Sequence, residues 1–143
     1  MDRSPEGVFR RMLELLLAKD MDGVAELWAP EGTAAFPFAE GGAPTLLSGR
    51  EAVRDYLSGY PEVFDVTGVS GVRVHHTVDP ETIVVELSSE GRTVRTGAPY
   101  RMDYVTVLTV RDGGIIECRD YWSPVQTARA SGNLETLREG LET

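Results

Sequence analysis

Apolar residues recur at helical spacing in the first part of the chain and at strand-like spacing in the second. Val8, Phe9, Met12, Leu13, Leu16 and Leu17 fall on one stripe behind Ser4 and Pro5, an N-cap and a favoured first helical residue. This pattern predicts an amphipathic helix ending near Lys19. Asp20 or Asp22 can cap a second, short helix carrying Val24, Leu27 and Trp28, ended by Pro30 and Gly32, so the two form a hairpin. Thr33 to Phe38 (TAAFPF) reads as a short strand with Pro37 at an edge or bulge, and Ala39 to Pro44 (AEGGAP) as a loop. Ser48 with Glu51 three residues on reads as a capping box. Val53, Tyr56, Leu57 and Tyr60 follow at helical spacing before Pro61 stops the run.

After Val66 the character changes. Val72 to Val78, Thr82 to Ser89, Val94 to Arg111 and Ile115 to Trp122 are β-branched and aromatic runs. Asp79-Pro80, Glu90-Gly91 and Asp112-Gly113-Gly114 separate them, which predicts four strands joined by hairpin-like turns. Helices first and a meandering sheet afterwards make an α+β fold, with helices over one face of a curved antiparallel sheet. The chain is expected to be one domain, 1–143, with 124–143 as a C-terminal extension of one or two short helices.

Charge and composition narrow the function. Against 23 Asp plus Glu the chain has 14 Lys plus Arg, a net charge of −9, and the acid excess runs through both halves. No basic stripe is available to follow a phosphate backbone, so nucleic acid is not an expected partner. The apolar run Leu15 to Ala18 is far below the ~20 residues that cross a bilayer. The start MDRSPEG lacks a signal-peptide core, and Cys118 is the single cysteine, so no membrane partner, no internal disulfide and a cytoplasmic location are expected.

The last strand carries the candidate chemistry. By alternation Ile116, Cys118, Asp120 and Trp122 share one face, apolar except for Asp120, while Ile115, Glu117, Arg119 and Tyr121 share the other. A carboxyl in such a setting is expected to have a raised pKa and to serve as a proton-transfer group. A three-residue loop at Asp112 to Gly114 would set Asp120 beside Thr106, and a two-residue turn would set it beside Val105; the first fits the uncharged face. His75 and His76 are adjacent on a strand and point to opposite faces, so they cannot share a metal ion, and no metal or cofactor is expected. His76 shares the parity of Val72 and Val74 and can reach a cavity there as a proton shuttle. Cys118 reads as buried packing.

The order of elements resembles the NTF2-like superfamily, with its ketosteroid isomerases and SnoaL-like polyketide cyclases. Asp20–Trp28 (DMDGVAELW) is similar to that family's second-helix phrase, Leu47–Val53 (LSGREAV) to its third-helix opening, and Val110–Pro124 (VRDGGIIECRDYWSP) to its last hairpin. The resemblance implies a cone-shaped roll, a curved sheet wrapped around the N-terminal helices. It does not carry the ketosteroid isomerase site: the family's oxyanion-hole tyrosine falls on Met12, its general base on Phe36, and its second acid within Tyr104 to Thr106, where no carboxyl stands. Arg119–Pro124 followed by Gln126–Ser131 resembles the end of PhzA/PhzB-type phenazine-biosynthesis proteins. That likeness implies an acid/base role for Asp120, in place of a glutamate, and adds Glu86 of the phrase Val84–Leu87 as a second candidate.

A pocket follows from these placements. Tyr100, Met102, Tyr104, Thr106, Leu108 and Val110 form one uncharged face of the long strand, and Met12, Trp28, Phe36 and Phe38 come from the helix side. Such an aromatic cavity suits a small apolar or aromatic ligand held by few hydrogen bonds. Tyr104 stands out, because a buried phenol needs a partner. The expected function is cofactor-independent acid/base catalysis of isomerase, cyclase or dehydratase type on a carbonyl compound, with Asp120 moving a proton and Tyr104 or His76 assisting. The alternative is a non-catalytic ligand-binding or dimerisation module. Val105, Val107, Ile115 and Tyr121 leave the opposite sheet face too apolar to be fully wet, which predicts a homodimer through the sheet.

Overall fold

The computed structural model describes residues 2–142. The N-terminal part follows the apolar stripe closely. Helix α1 spans Pro5–Leu17, and the Ser4 side chain accepts the Gly7 N–H at 3.1 Å. Helix α2 spans Met21–Glu26, and Asp20 accepts the Gly23 N–H at 2.9 Å. These side chains satisfy donors that a helix start otherwise leaves open.

Trp28 does not belong to α2 as its spacing predicts. It opens strand β1 (Trp28–Ala35), with Pro30 in the irregular stretch between paired Trp28 and Thr33, where the missing N–H costs no ladder bond. The expected strand at Thr33 therefore starts five residues earlier and stops at Ala35, and the Phe36 N–H goes instead to Thr45 O at 2.8 Å. A short strand β2 (Leu46–Ser48), absent from the sequence reading, pairs antiparallel with β1. Because Ser48 is in β2, the expected capping box does not form: Gly49 takes the N-cap position of α3 (Arg50–Ser58) without a side-chain cap. Pro61 does not end this region. It sits in the first turn of α4 (Tyr60–Val63), where proline is tolerated.

Three of the four long strands extend beyond the expected runs, and the one expected to begin at Val94 is shorter. The four are β3 (Phe64–His76), β4 (Thr82–Thr93), β5 (Pro99–Arg111) and β6 (Gly114–Trp122). Glu90 and Gly91, a turn by composition, pair within the ladder with Arg101 and Tyr100, and the chain reverses beyond Thr93. Val94 therefore lies outside β5. Helices α5 (Pro124–Ser131) and α6 (Leu134–Leu141) form the C-terminal segment.

Sheet order is β2-β1-β6-β5-β4-β3, all neighbours antiparallel except β1 and β6, which run parallel. The wholly antiparallel sheet expected from the sequence is corrected at that one pairing. Bulges in β3 and at the β5/β6 pairing bend the sheet. Its inner face meets α1, α2 and α3 in a core of Val8, Phe9, Val24, Val53, Ile83, Val85, Leu108 and Ile115. Each such side chain contributes about 1.5–3 kcal/mol by leaving water. A smaller cluster, Phe64, Val66, Tyr100 and Met102, lies towards the other end of that face.

The register of β6 is reached by an unexpected route. Arg111 pairs with Gly114, so the hairpin turn is the two residues Asp112 and Gly113, with φ of 52° and 78°. Both are left-handed, as a tight hairpin of this length requires. A bulge at Ile116 then shifts the pairing by one, which sets Asp120 opposite Thr106. The bulge also reverses the expected facing of Ile115, which is fully buried in the core.

Candidate active site

Alternation along β4, β5 and β6 sends Val85, Thr106 and Asp120 side by side to the inner face. The Thr106 hydroxyl donates to Asp120 Oδ1 at 3.0 Å. No lysine, arginine or histidine occupies an inner-face position of these three strands. Burial away from a compensating cation pushes the Asp120 pKa from 3.8 up to about 6, and the Thr106 hydrogen bond opposes this only in part. The group is part-buried rather than sealed.

Three phenols sense this carboxylate. Tyr104 is two residues from Thr106 along β5, and its register partner is Trp122. Tyr56 of α3 and Tyr60 of α4 close the site from the helix side, and burial raises the pKa of all three phenols, with the Asp120 charge adding to it. Tyr60 lies close enough to Tyr104 for each phenol to affect the other, and the Tyr104 hydroxyl has the Met102 sulfur at 3.9 Å as acceptor. Phe36 completes the wall: it is buried, with its ring 5.1 Å from Tyr56 and 6.2 Å from Trp122.

Asp120, Tyr104, Thr106, Phe36 and Trp122 are thus brought together, while other candidates lie elsewhere. His76 has inner-face parity but stands on the edge strand β3, three strands from β6, exposed and 3.4 Å from Glu6. Glu86 projects from the outer face, where His75 meets it at 2.7 Å. Phe38 is exposed and packs edge-on against Tyr121 at 5.1 Å, also outside. Trp28 is spent on the core, its indole N–H donating to Thr33 O at 3.0 Å. Met12 packs part-buried on that core. Cys118 is buried one step along β6 from Asp120, and burial holds its thiol protonated. Tyr100 lies in the smaller cluster against Phe64, its phenol pushed up to about 12 by burial.

Tyr56 and Tyr60 were not among the expected site residues. Their i, i+4 spacing on the apolar stripe was the available signal, since it placed two phenols on the face turned to the sheet. Two recesses open on the surface as well, of about 410 Å³ beside Arg50 and Ile116 and about 920 Å³ on the outer face beside Phe38, Val105 and Tyr121. Asp120 lines neither, and the chemistry follows the carboxylate rather than the larger hollow. Among the described residues no helix is long and apolar enough to cross a membrane.

Comparison with known proteins agrees with this architecture. Residues 9–118 match the family model of the SnoaL-like domain. The protein YesE of Bacillus subtilis is 34% identical over 133 residues, covering 92% of this chain and 90% of that one. A PhzA/B-like protein of Pseudomonas aeruginosa is 34% identical over 123 residues, 86% of each chain. A crystal structure of an isomerase candidate from Bacillus subtilis superposes with a TM-score of 0.88 at 32% identity, covering 93% of this chain and 97% of that one. With a six-stranded curved sheet folded against its N-terminal helices and a family match over most of its length, the chain belongs to the SnoaL-like domain family of the NTF2-like fold.

Proposed function

We propose that the protein catalyses proton transfer next to the carbonyl of a small, largely apolar aromatic molecule, without a cofactor. The single observation that carries this reading is Asp120: an inner-face carboxylate with one hydrogen-bond donor, no cationic partner and a pKa of about 6. At pH 7 such a group is mostly ionised, and its conjugate acid is strong enough to return the proton. Asp120 takes a proton from the carbon beside the carbonyl, the electron pair of the broken C–H bond moves into an enolate, and Tyr104 donates its O–H to the enolate oxygen. Tyr60, beside Tyr104, helps to hold that phenol in place. Delivery of the proton to a different carbon completes an isomerisation; closure of the enolate onto a second carbonyl completes a cyclisation.

Deuterium exchange detects the first step before the natural substrate is known. NMR in D₂O with 2-tetralone and related aromatic ketones is expected to show enzyme-dependent exchange beside the carbonyl, rising with pH through about 6 as Asp120 ionises. Asp120→Asn is expected to lower that rate by roughly 10²–10⁴-fold. Exchange that Asp120→Asn leaves intact would overturn the assignment. A ligand carrier without turnover is the competing reading; in it the ketones bind and no exchange occurs. We also propose that a second copy covers the outer sheet face, a reading supported by Phe38 and Val105, which are 58% and 38% exposed beside Tyr121.

A further inference from the structure

Beyond Tyr104, on the side away from Asp120, the inner face carries hydroxyl groups that proton transfer does not use. Ser89 on β4 pairs with Met102, which sets it diagonal to Tyr100 and Tyr104 on β5. Tyr60 reaches the same place from α4: its ring lies 5.5 Å from Phe64, which lies 5.0 Å from Tyr100. Ser89 is 4% exposed and Tyr100 8%, yet neither Ser89 Oγ nor Tyr100 Oη has a hydrogen-bond partner. Ser89 is close enough to both phenols to favour their ionised forms, but without the alignment that a hydrogen bond requires. Buried hydroxyls of this kind are a standing cost that a bound group can relieve.

We propose that Ser89 and Tyr100, with Tyr60 and Tyr104 beside them, form a second polar subsite that takes an uncharged oxygen, carbonyl or hydroxyl, at the far end of the ligand. Four residues of β5 separate Thr106, opposite Asp120, from Met102, opposite Ser89. At ~3.4 Å per residue the two polar poles are about 14 Å apart along the strand direction. Between them the wall is Tyr104, Leu87 and Trp122, which fits an elongated aromatic body. The ligand is neutral, because the inner face of β4 to β6 offers no cation and its one charge, Asp120, repels an anion. This deepens the proton-transfer reading by naming the substrate class, and it rests on that reading because both use the same inner sheet face.

Matched biphenyl probes test it, with tryptophan fluorescence as readout because Trp122 stands in the wall. The wild type is expected to bind 4-acetylbiphenyl about three- to tenfold more tightly than biphenyl, the value of one net hydrogen bond, and biphenyl-4-carboxylate more weakly than either. Ser89→Ala and Tyr100→Phe are each expected to remove most of the preference for the acetyl compound while leaving biphenyl affinity within about twofold. Ligand-free Ser89→Ala should melt no lower than the wild type, since it deletes a hydroxyl without a partner. The subsite is overturned if the carboxylate binds best, if the acetyl preference survives both substitutions, if Ser89→Ala destabilises the ligand-free protein, or if no biphenyl binds. Failure of the catalytic reading is separate: it registers in Asp120→Asn exchange rates and leaves the acetyl preference in place.

Discussion

Replacing Asp120 by Asn should make the protein more stable at neutral pH, and the size of the gain follows from the site. A carboxyl with a pKa of 3.8 in the unfolded chain and about 6 in the native one costs the native state on the order of 3 kcal/mol when fully ionised. Between those values the native state binds more protons than the unfolded state, so the cost is absent below about pH 4 and reaches its full size as pH rises through 6. Asn keeps the geometry, because its Oδ1 can still accept from Thr106, and it carries no charge at any pH. Because Asp120 is only part-buried, solvent screening reduces the gain to about 1–3 kcal/mol, which for a domain of this size is roughly 3–10 °C in Tm. Thermal melts of wild type and Asp120→Asn across pH 4 to 8 measure it. The Tm difference should be near zero at pH 4 and reach its full value by pH 7. A difference that does not vary with pH, or a wild type more stable than Asp120→Asn at pH 8, would refute the claim that burial raises this pKa.

Two further outcomes follow from the packing. Deleting Ile116 removes the bulged residue and leaves a regular ladder in which Ile115, Glu117 and Asp120 keep Val110, Thr109 and Thr106 as partners. The protein should therefore fold with Cys118, Asp120 and Trp122 still facing inward and should keep ketone exchange; chemical denaturation together with the exchange assay checks both, and loss of exchange in a folded variant would refute the assigned register. Val105→Arg places a charge in the middle of the outer face; if the proposed dimer forms there, light scattering should show the variant as a monomer with Asp120-dependent exchange retained per chain, and a wild type that is already monomeric would refute the proposed dimer.

Much of the site was legible because strand alternation is a rigid rule. Val85 and Leu87 face inward, so Glu86 between them faces outward, and Tyr104, Thr106 and Asp120 share the inner face. The caps at Ser4 and Asp20 were legible for the same reason: a side-chain acceptor at a helix start is a local requirement. What alternation does not contain is a bulge. The β6 register came out as expected only because the tight turn and the extra residue at Ile116 offset each other, and Ile115, on the near side of the bulge, did not. Lateral position is equally invisible: His76 has the right parity but stands on an edge strand. Tyr56 and Tyr60 escaped because a helix stripe that packs a core and one that faces a candidate site have the same period. Trp28 misled because helical spacing continued for two residues past the end of α2.

Strand β6 is held along both edges, by β1 on one side and β5 on the other. The phenols facing it stand on different footing: α4 is a single turn of four residues, and neither it nor α3 has a side-chain cap. One side of the candidate site is therefore stiff and carries the carboxylate, and the other is yielding and carries Tyr56 and Tyr60. In the proposed reaction, room for a ligand would come from the tyrosine side, so that Asp120 keeps its place while Tyr56 and Tyr60 adjust.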